Sequence, residues 1–393
     1  MKNNMLNSLK QCLPILLTVM ALNLAHAQSE INIVQTGVFG QKPIPVALQG
    51  FSGDVLETLK FDLYVQGFSF VAPDAAQYVI SGSNSGDVQG RLMDRLAQRT
   101  LFAHSYNGAS LRRQAHALAN DIVLAVTGKP GIALTKIACK IESTPGHDEI
   151  YIADFDGHNP QPVTHDNTIA SAPSWVPGRL ALCYNSYLRN NPDIFFQDLT
   201  NGRRRDIAHY SGSNISPSVS PDGSKVAFIA SMSGSPNVWV CNLDGSGLKQ
   251  LTHTVEDDSS PCWSPDGKWI CFATRIHERR MLAKIPASGG AIEIISTAGV
   301  ANPTEPDWSP DGKWIAFTSQ MGNFSVCVVP AAGGPPIVLV TGEDPSWSPN
   351  SRTLIYTRRV HYRYELSVLD VFTKQAKDTA RISGNDSQPA WAK

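Results

Sequence analysis

Charge is the first scarcity in this 393-residue chain. Only 17% of residues are charged, and 33 basic against 34 acidic groups leave a formal net charge of -1. A nucleic-acid binder working by bulk charge needs a basic surface to neutralise phosphates, which this balance excludes. A disordered acidic or basic chain is excluded too, because 42% of the residues are hydrophobic. Cysteine is sparse: there are seven, and none stands in the CxxC spacing of a thiol redox site or zinc knuckle. Catalytic signatures are missing as well. There is no HExxH, no Walker lysine loop and no dinucleotide fingerprint. Gly82-Ser83-Asn84-Ser85-Gly86 carries Asn where a nucleophile elbow needs Ser. The ten histidines are scattered: His104 and His116 form no motif, and His361 lies in an arginine-rich stretch that reads as a wet loop.

Long apolar runs are also few. The one at the start, Leu13 to Ala25, follows Lys2 and Lys10 and precedes Ala25-His26-Ala27. Its 13 residues fall short of the ~20 that span a bilayer, so it reads as an export signal over residues 1–27. The expected mature chain is a soluble, exported monomer starting at Gln28. The remaining cysteines, Cys139, Cys183, Cys241, Cys262, Cys271 and Cys327, read as small buried hydrophobes. Cys262 and Cys271 flank a tight turn and could also face each other as a disulfide.

Glycine (30) and proline (26) are abundant, about one residue in seven against a usual ~12%. They fall into a pattern. Pro261-Cys262-Trp263-Ser264-Pro265-Asp266-Gly267 matches Pro306-Asp307-Trp308-Ser309-Pro310-Asp311-Gly312 and Pro217-Ser218-Val219-Ser220-Pro221-Asp222-Gly223. Pro345 to Ser351 is a decayed copy, Ser171 to Trp175 an early one, and Pro389-Ala390-Trp391 a last one. The aligned positions 175, 219, 263, 308, 347 and 391 are separated by 44, 44, 45, 39 and 44 residues. A beat of 40–45 residues is that of a β-propeller blade. In each copy a short strand ends at the Trp. Ser-Pro-Asp-Gly makes a turn, in which Pro presets φ and Gly accepts a positive one. Three more short β-rich runs follow.

The ends of the array complete each other. Leu134–Ile141, Glu149–Ala153 and Pro162–Thr164 look like strands two to four of a blade lacking its first strand, and residues 389–392 are a first strand without a blade. Joining them closes a ring with no bare sheet edge. The fold class is therefore an all-β six-bladed β-propeller over residues 131–393, with a small N-terminal α/β (α+β) domain over 28–130. In that domain Ile31–Val34, Pro45–Leu48 and Tyr78–Gly82 read as strands and Asp54–Tyr64 as a helix. A second helix runs from Leu111 to about Val126, capped by Ser110 and closed by Gly128, with Leu111, Ala115, Leu118, Ile122 and Ala125 on one face.

Strands one and three of a blade run the same way, so the four-to-one and two-to-three loops share one face. The former carry Asp257, Asp258, Glu305, Glu343, Asp344 and Asp386, with Asp307 beside the pore. The latter carry Arg275, His277, Arg279, Arg280, Arg358, Arg359, His361 and Arg363. An acidic mouth inside a basic rim suits protein docking. No cofactor is called for, although converging carboxylates leave a divalent cation in the mouth as an open option. The opposite face carries mainly tight turns and reads as structural.

The export signal, the front domain, the Trp-Ser-Pro-Asp-Gly-type repeats and the terminal Pro-Ala-Trp together resemble the TolB family of the Tol–Pal system. So does the junction Ala119-Asn120-Asp121…Leu124…Thr127-Gly128…Gly131. The resemblance implies a non-enzymatic periplasmic adaptor supporting outer-membrane integrity and constriction at division. It would bind a Pal-like outer-membrane lipoprotein through the propeller and a TolA-like inner-membrane protein through Gln28–Val34, including Gln28, Ile31 and Ile33. Two other classes compete. One is a secreted propeller hydrolase or lyase. However, the positions before the Trp (Ser174, Ser218, Cys262, Asp307, Ser346, Ala390) make a poor catalytic ring. The other is a stand-alone peptide- or glycan-binding propeller.

Overall fold

A computed structural model describes residues 39–382 and 384–393. The expected export signal, the expected strand Ile31–Val34 and the expected partner-binding residues Gln28, Ile31 and Ile33 lie outside the described residues.

Six four-stranded antiparallel sheets form the propeller. Blade 1 begins at Ala170–Trp175, blade 2 at Asn214–Val219, blade 3 at Ser259–Trp263, blade 4 at Thr304–Trp308 and blade 5 at Glu343–Trp347. Blade 6 takes its first strand, Asn385–Trp391, from the end of the chain. That strand pairs antiparallel with Lys136–Thr144, whose own continuation supplies the outer strands His147–Asp154 and Gln161–Pro162. The closure expected from the sequence is thus observed, and Trp391 Nε1 ties it by donating to Thr135 Oγ1 at 2.8 Å.

The turn chemistry explains why the blades repeat. Ser220 Oγ donates to Asp222 Oδ1 at 2.6 Å and accepts from Lys225 N at 2.9 Å, while Gly223 takes φ +69°. The same bonds recur at Ser264 and Ser309. In the decayed copy Asn350 replaces the aspartate and Ser351 holds φ 56° where the others use glycine. Between blades the core is aliphatic and aromatic, as where Val240, Ile270, Phe272 and Ile285 are buried together. All six described cysteines are buried and free. Cys262 and Cys271 do face each other in register, but as thiols.

The front domain is a five-stranded mixed sheet in the order 68–70, 44–49, 78–83, 88–94, 99–106, backed by helices α1 (Gly53–Tyr64) and α2 (Leu111–Thr127). Ser110 Oγ accepts from Arg113 N, and Gly128 closes α2 at φ 70°. Ala115, Leu118 and Ile122 are buried as expected, but Leu111 and Ala125 are exposed. A ladder spaced by 3.5 residues drifts around a helix of 3.6 residues per turn, so its ends leave the contact face. The helix lies close on the sheet: a Cβ on Gly90 would sit 2.5 Å from Leu118 Cδ1.

This domain packs on the tight-turn side of blades 5 and 6. Gln375 Nε2 donates to Phe68 O at 3.0 Å, Gly40 N donates to Phe372 O at 2.7 Å, and Phe61 meets Phe155 edge-on at 5.7 Å. One hydrophobic cluster runs through Leu59, Ile122, Phe155, Ile355 and Trp391, joining both domains. The loop face with the acidic mouth stays uncovered by the front domain.

Candidate docking face

Every first strand carries a bulge where it enters the channel. The residue three before the aligned aromatic has positive φ in all six blades: Ala172, Ser216, Ser260, Glu305, Asp344 and Gln388, at 50–53°. A proline follows each one. Non-glycine residues in this region cost of order 1 kcal/mol each, so something must hold them. Side chains of the preceding blade do so at four of the six. Glu305 Oε2 accepts from Asp344 N at 3.2 Å, Asp344 Oδ2 from Gln388 N at 3.2 Å, and Gln388 Oε1 from Ala172 N at 3.0 Å. Asn185 Oδ1 accepts from Ser216 N at 3.3 Å.

A second tier lies one layer deeper. Ser174 Oγ accepts from Val219 N, Asp307 Oδ2 from Trp347 N and Ser346 Oγ from Trp391 N, at 3.1, 2.6 and 3.0 Å. Three of the six residues before the aromatic are therefore blade-to-blade staples. All six line, with the prolines immediately preceding them, a channel of about 530 Å³.

The staples change how the acidic residues read. Asp258 is buried and accepts from Thr252 Oγ1 at 2.5 Å and Thr274 Oγ1 at 2.7 Å. Burial pushes its carboxyl up despite those threonines. Asp386 is also buried; burial pushes it to about 7, against the bond from Ile382 N at 3.1 Å. Asp344 is raised by burial and by the neighbouring Glu305 and Glu343 carboxylates, and Glu343 is raised by burial and Glu305. Asp307 holds the Lys393 ammonium at 2.6 Å. Asp257 alone among the named acids is exposed, while Glu305 and Glu343 are half-buried at the mouth.

Around this mouth stand the two-to-three hairpins. Their tips expose apolar side chains as well as arginines: Val255 in the neighbouring loop is 93% exposed, and Tyr362 is 90%. His361 is exposed at φ 56°, a turn residue. The face thus offers acidic, basic and apolar groups together.

Among the described residues, the His and carboxylate side chains able to offer ligand atoms within 4.8 Å of one another lie elsewhere, at the domain junction: Asp62 on α1, His116 on α2 and Asp156 in the blade-6 turn. No motif in the sequence links these three. His116 Nδ1 bonds Asp62 Oδ2 at 2.7 Å, and its Nε2 lies 3.5 Å from Asp156 Oδ2. All three are buried. They could furnish ligands to a divalent cation, but Arg112 already bonds Asp156 and would have to be displaced. A proton on His116 balances the two carboxylates and Arg112 without that displacement. Burial works against this proton; the charge and hydrogen bond of Asp62, then Asp156, outweigh it and raise the imidazole.

Comparison with known proteins places this geometry. A family model described as PD40, TolB beta propeller domain, matches residues 123–393. The Tol-Pal system protein TolB of Desulfosudis oleivorans is 30% identical over 135 residues, covering 33% of this chain and 31% of the relative. That of Bordetella avium is 29% identical over 217 residues, covering 47% and 48%. The chain thus matches 31% and 48% of the length of these two curated relatives. The crystal structure of TolB from Acinetobacter baumannii superposes with a TM-score of 0.81 at 25% identity, over 91% of this chain and 98% of that one.

Proposed function

The chain belongs to the TolB β-propeller family, and from that premise we propose that it is a non-enzymatic periplasmic adaptor of the Tol–Pal system. The observation that carries this reading is the correspondence to a TolB structure over 91% of the chain, front domain and propeller together. Residues 1–27 are its export signal, 28–130 its front domain and 131–393 its propeller. Among the described residues no helix is long and apolar enough to cross a membrane.

A Pal-like lipoprotein docks on the loop face, which stays open while the front domain packs on the tight-turn side of blades 5 and 6. Asp257, Glu305 and Glu343 meet it there, while Asp258, Asp307, Asp344 and Asp386 act mainly by holding the mouth in shape. Gln28, Ile31 and Ile33 belong to the arm that engages a TolA-like protein. Charge complementarity at such a rim steers encounter and fixes register.

Crosslinking capture with purified Pal-like and TolA-like domains of the same organism tests the proposal. Capture of both is expected, with Asp257→Lys weakening the first and deletion of 28–34 abolishing the second. Capture of neither overturns the adaptor reading.

A further inference from the structure

Between the hairpins of blades 3 and 4, on the rim of the loop face, lies a polar recess of about 260 Å³. Two of the residues lining it are Arg275 and Arg280. They are direct partners across the antiparallel strands Trp269–Ile276 and Arg279–Pro286. Like charges placed opposite each other in a sheet repel. Among the other half-buried arginines described, Arg112 holds Asp156, Arg352 holds Asp370, Arg358 holds Asp378, and Arg95 donates to Ala76 O at 2.6 Å. Arg275 and Arg280 hold no carboxylate among the described residues. The one hydrogen bond found there for the Arg280 side chain reaches Ser259 Oγ at 3.5 Å. Arg275 Nε is buried with no acceptor. A buried donor left unpaired costs about 1–3 kcal/mol. The pair is therefore doubly unsatisfied, in repulsion and in hydrogen bonding, and both deficits call for an anionic acceptor.

The rest of the recess agrees. Asn302, Thr304 and Gln320 from blade 4 line the wall facing the arginines and supply amide and hydroxyl donors. A planar carboxylate matches the guanidinium fork, which can bind it through two parallel N–H bonds. Glu278 at the hairpin tip also lines the recess, and it stands beyond ion-pair distance of both arginines. Its exposed carboxylate guards the entrance and disfavours a doubly charged phosphate more than a single carboxylate.

We propose that the Arg275–Arg280 recess is a carboxylate-binding site that receives an Asp or Glu side chain of the protein docked on the loop face. The proposal rests on the adaptor reading for the identity of the partner, but not for the existence of the site. The acidic groups of the mouth and this basic recess then read opposite charges on one partner, which fixes its rotation about the channel axis.

Two measurements on the full mature chain decide it. In the first, the arginine Nε–H resonances are followed by nitrogen-15 NMR while glutarate is added. Saturable shifts of Arg275 and Arg280 at millimolar glutarate are expected, lost in either Arg275→Gln or Arg280→Gln and strengthened in Glu278→Gln. Absence of saturable shifts overturns the site, and a tighter response to inorganic phosphate than to glutarate overturns the carboxylate assignment. In the second, the affinity for the soluble domain of the Pal-like lipoprotein is measured. Each arginine variant should weaken it about tenfold, and Glu278→Gln should tighten it. Variants that bind like the parent chain overturn the partner's use of the site. A parent chain that does not bind this domain at all refutes the adaptor reading, and the glutarate titration then still decides the recess by itself.

Discussion

Asp386 shows how little of the mouth's acidity is free charge. It sits at the start of the closing strand, takes one bond from Ile382 N, and leaves Oδ1 without a partner among the described residues. Its pKa in the fold, about 7, lies above that of the unfolded chain. Stability linked to its protonation is therefore full below about pH 4 and is lost as pH rises through about 7. Asp386→Asn keeps the acceptor and removes the charge. In urea unfolding at pH 8 the variant should be more stable than the parent by about 2 kcal/mol, with little difference at pH 4.5. A variant less stable at both pH values would mean that the carboxylate is held charged. Glu305 has a different role: its Oε2 accepts from the strained Asp344 amide and from Thr318 Oγ1 at 2.6 Å. Glu305→Ala should cost about 1–2 kcal/mol in the same assay, whereas the exposed Asp257→Ala should cost nothing measurable.

Among elements, the closing strand carries the most weight for its length. Asn385–Trp391 pairs with Lys136–Thr144, receives the Ser346 staple, and places Trp391 against Phe155 with ring centroids 6.1 Å apart. Removing 388–393 deletes the Gln388 and Trp391 contacts and bares the edge of blade 6. The melting temperature of such a truncation should fall by more than 10 °C, since losing one buried Trp alone costs about 3–5 kcal/mol. An unchanged midpoint would refute closure. The propeller elements were readable because their signals are local: Trp, then Ser-Pro-Asp-Gly, at a fixed beat. The front-domain hairpin Val88–Asp94 with Arg99–Tyr106 was not. Its turn uses Gln98 at φ 51° where a glycine would have announced it, and Gly90 interrupts the strand pattern for the sake of Leu118. The bulge ring was hidden for the same reason. Ala, Ser, Glu, Asp and Gln occupy its positive-φ positions, and blade-to-blade staples hold four of the six there.

At the scale of the whole molecule, two domains meet through the buried cluster of Asp62, His116, Arg112 and Asp156. Its members come from segments far apart in the chain, so no spacing could have revealed it. His116 faces Asp62 from α1 and Asp156 from the propeller, with Arg112 on its own helix, His158 bonded to Arg112, and Asp154 nearby, which Lys136 holds. Its raised pKa gives stability that is complete below the unfolded value near 6.5 and lost as pH rises through the folded one. Burial raises Asp62 to about 6, which acts in the same direction. The unfolding midpoint should therefore fall between pH 6 and pH 9, and His116→Gln should flatten that fall while costing about 2 kcal/mol at pH 6. A parent chain equally stable at both pH values would show the imidazole to be neutral throughout.

The adaptor reading proposed above puts a Pal-like partner on the loop face, which the front domain leaves open. Amide hydrogen exchange of the mature chain with and without the soluble domain of that lipoprotein tests this most directly. Protection is expected in the loops carrying Asp257, Arg279 and His361, and not in the Ser-Pro-Asp-Gly turns. Protection confined to those turns or to the front domain, or no protection at saturating partner, would contradict the account.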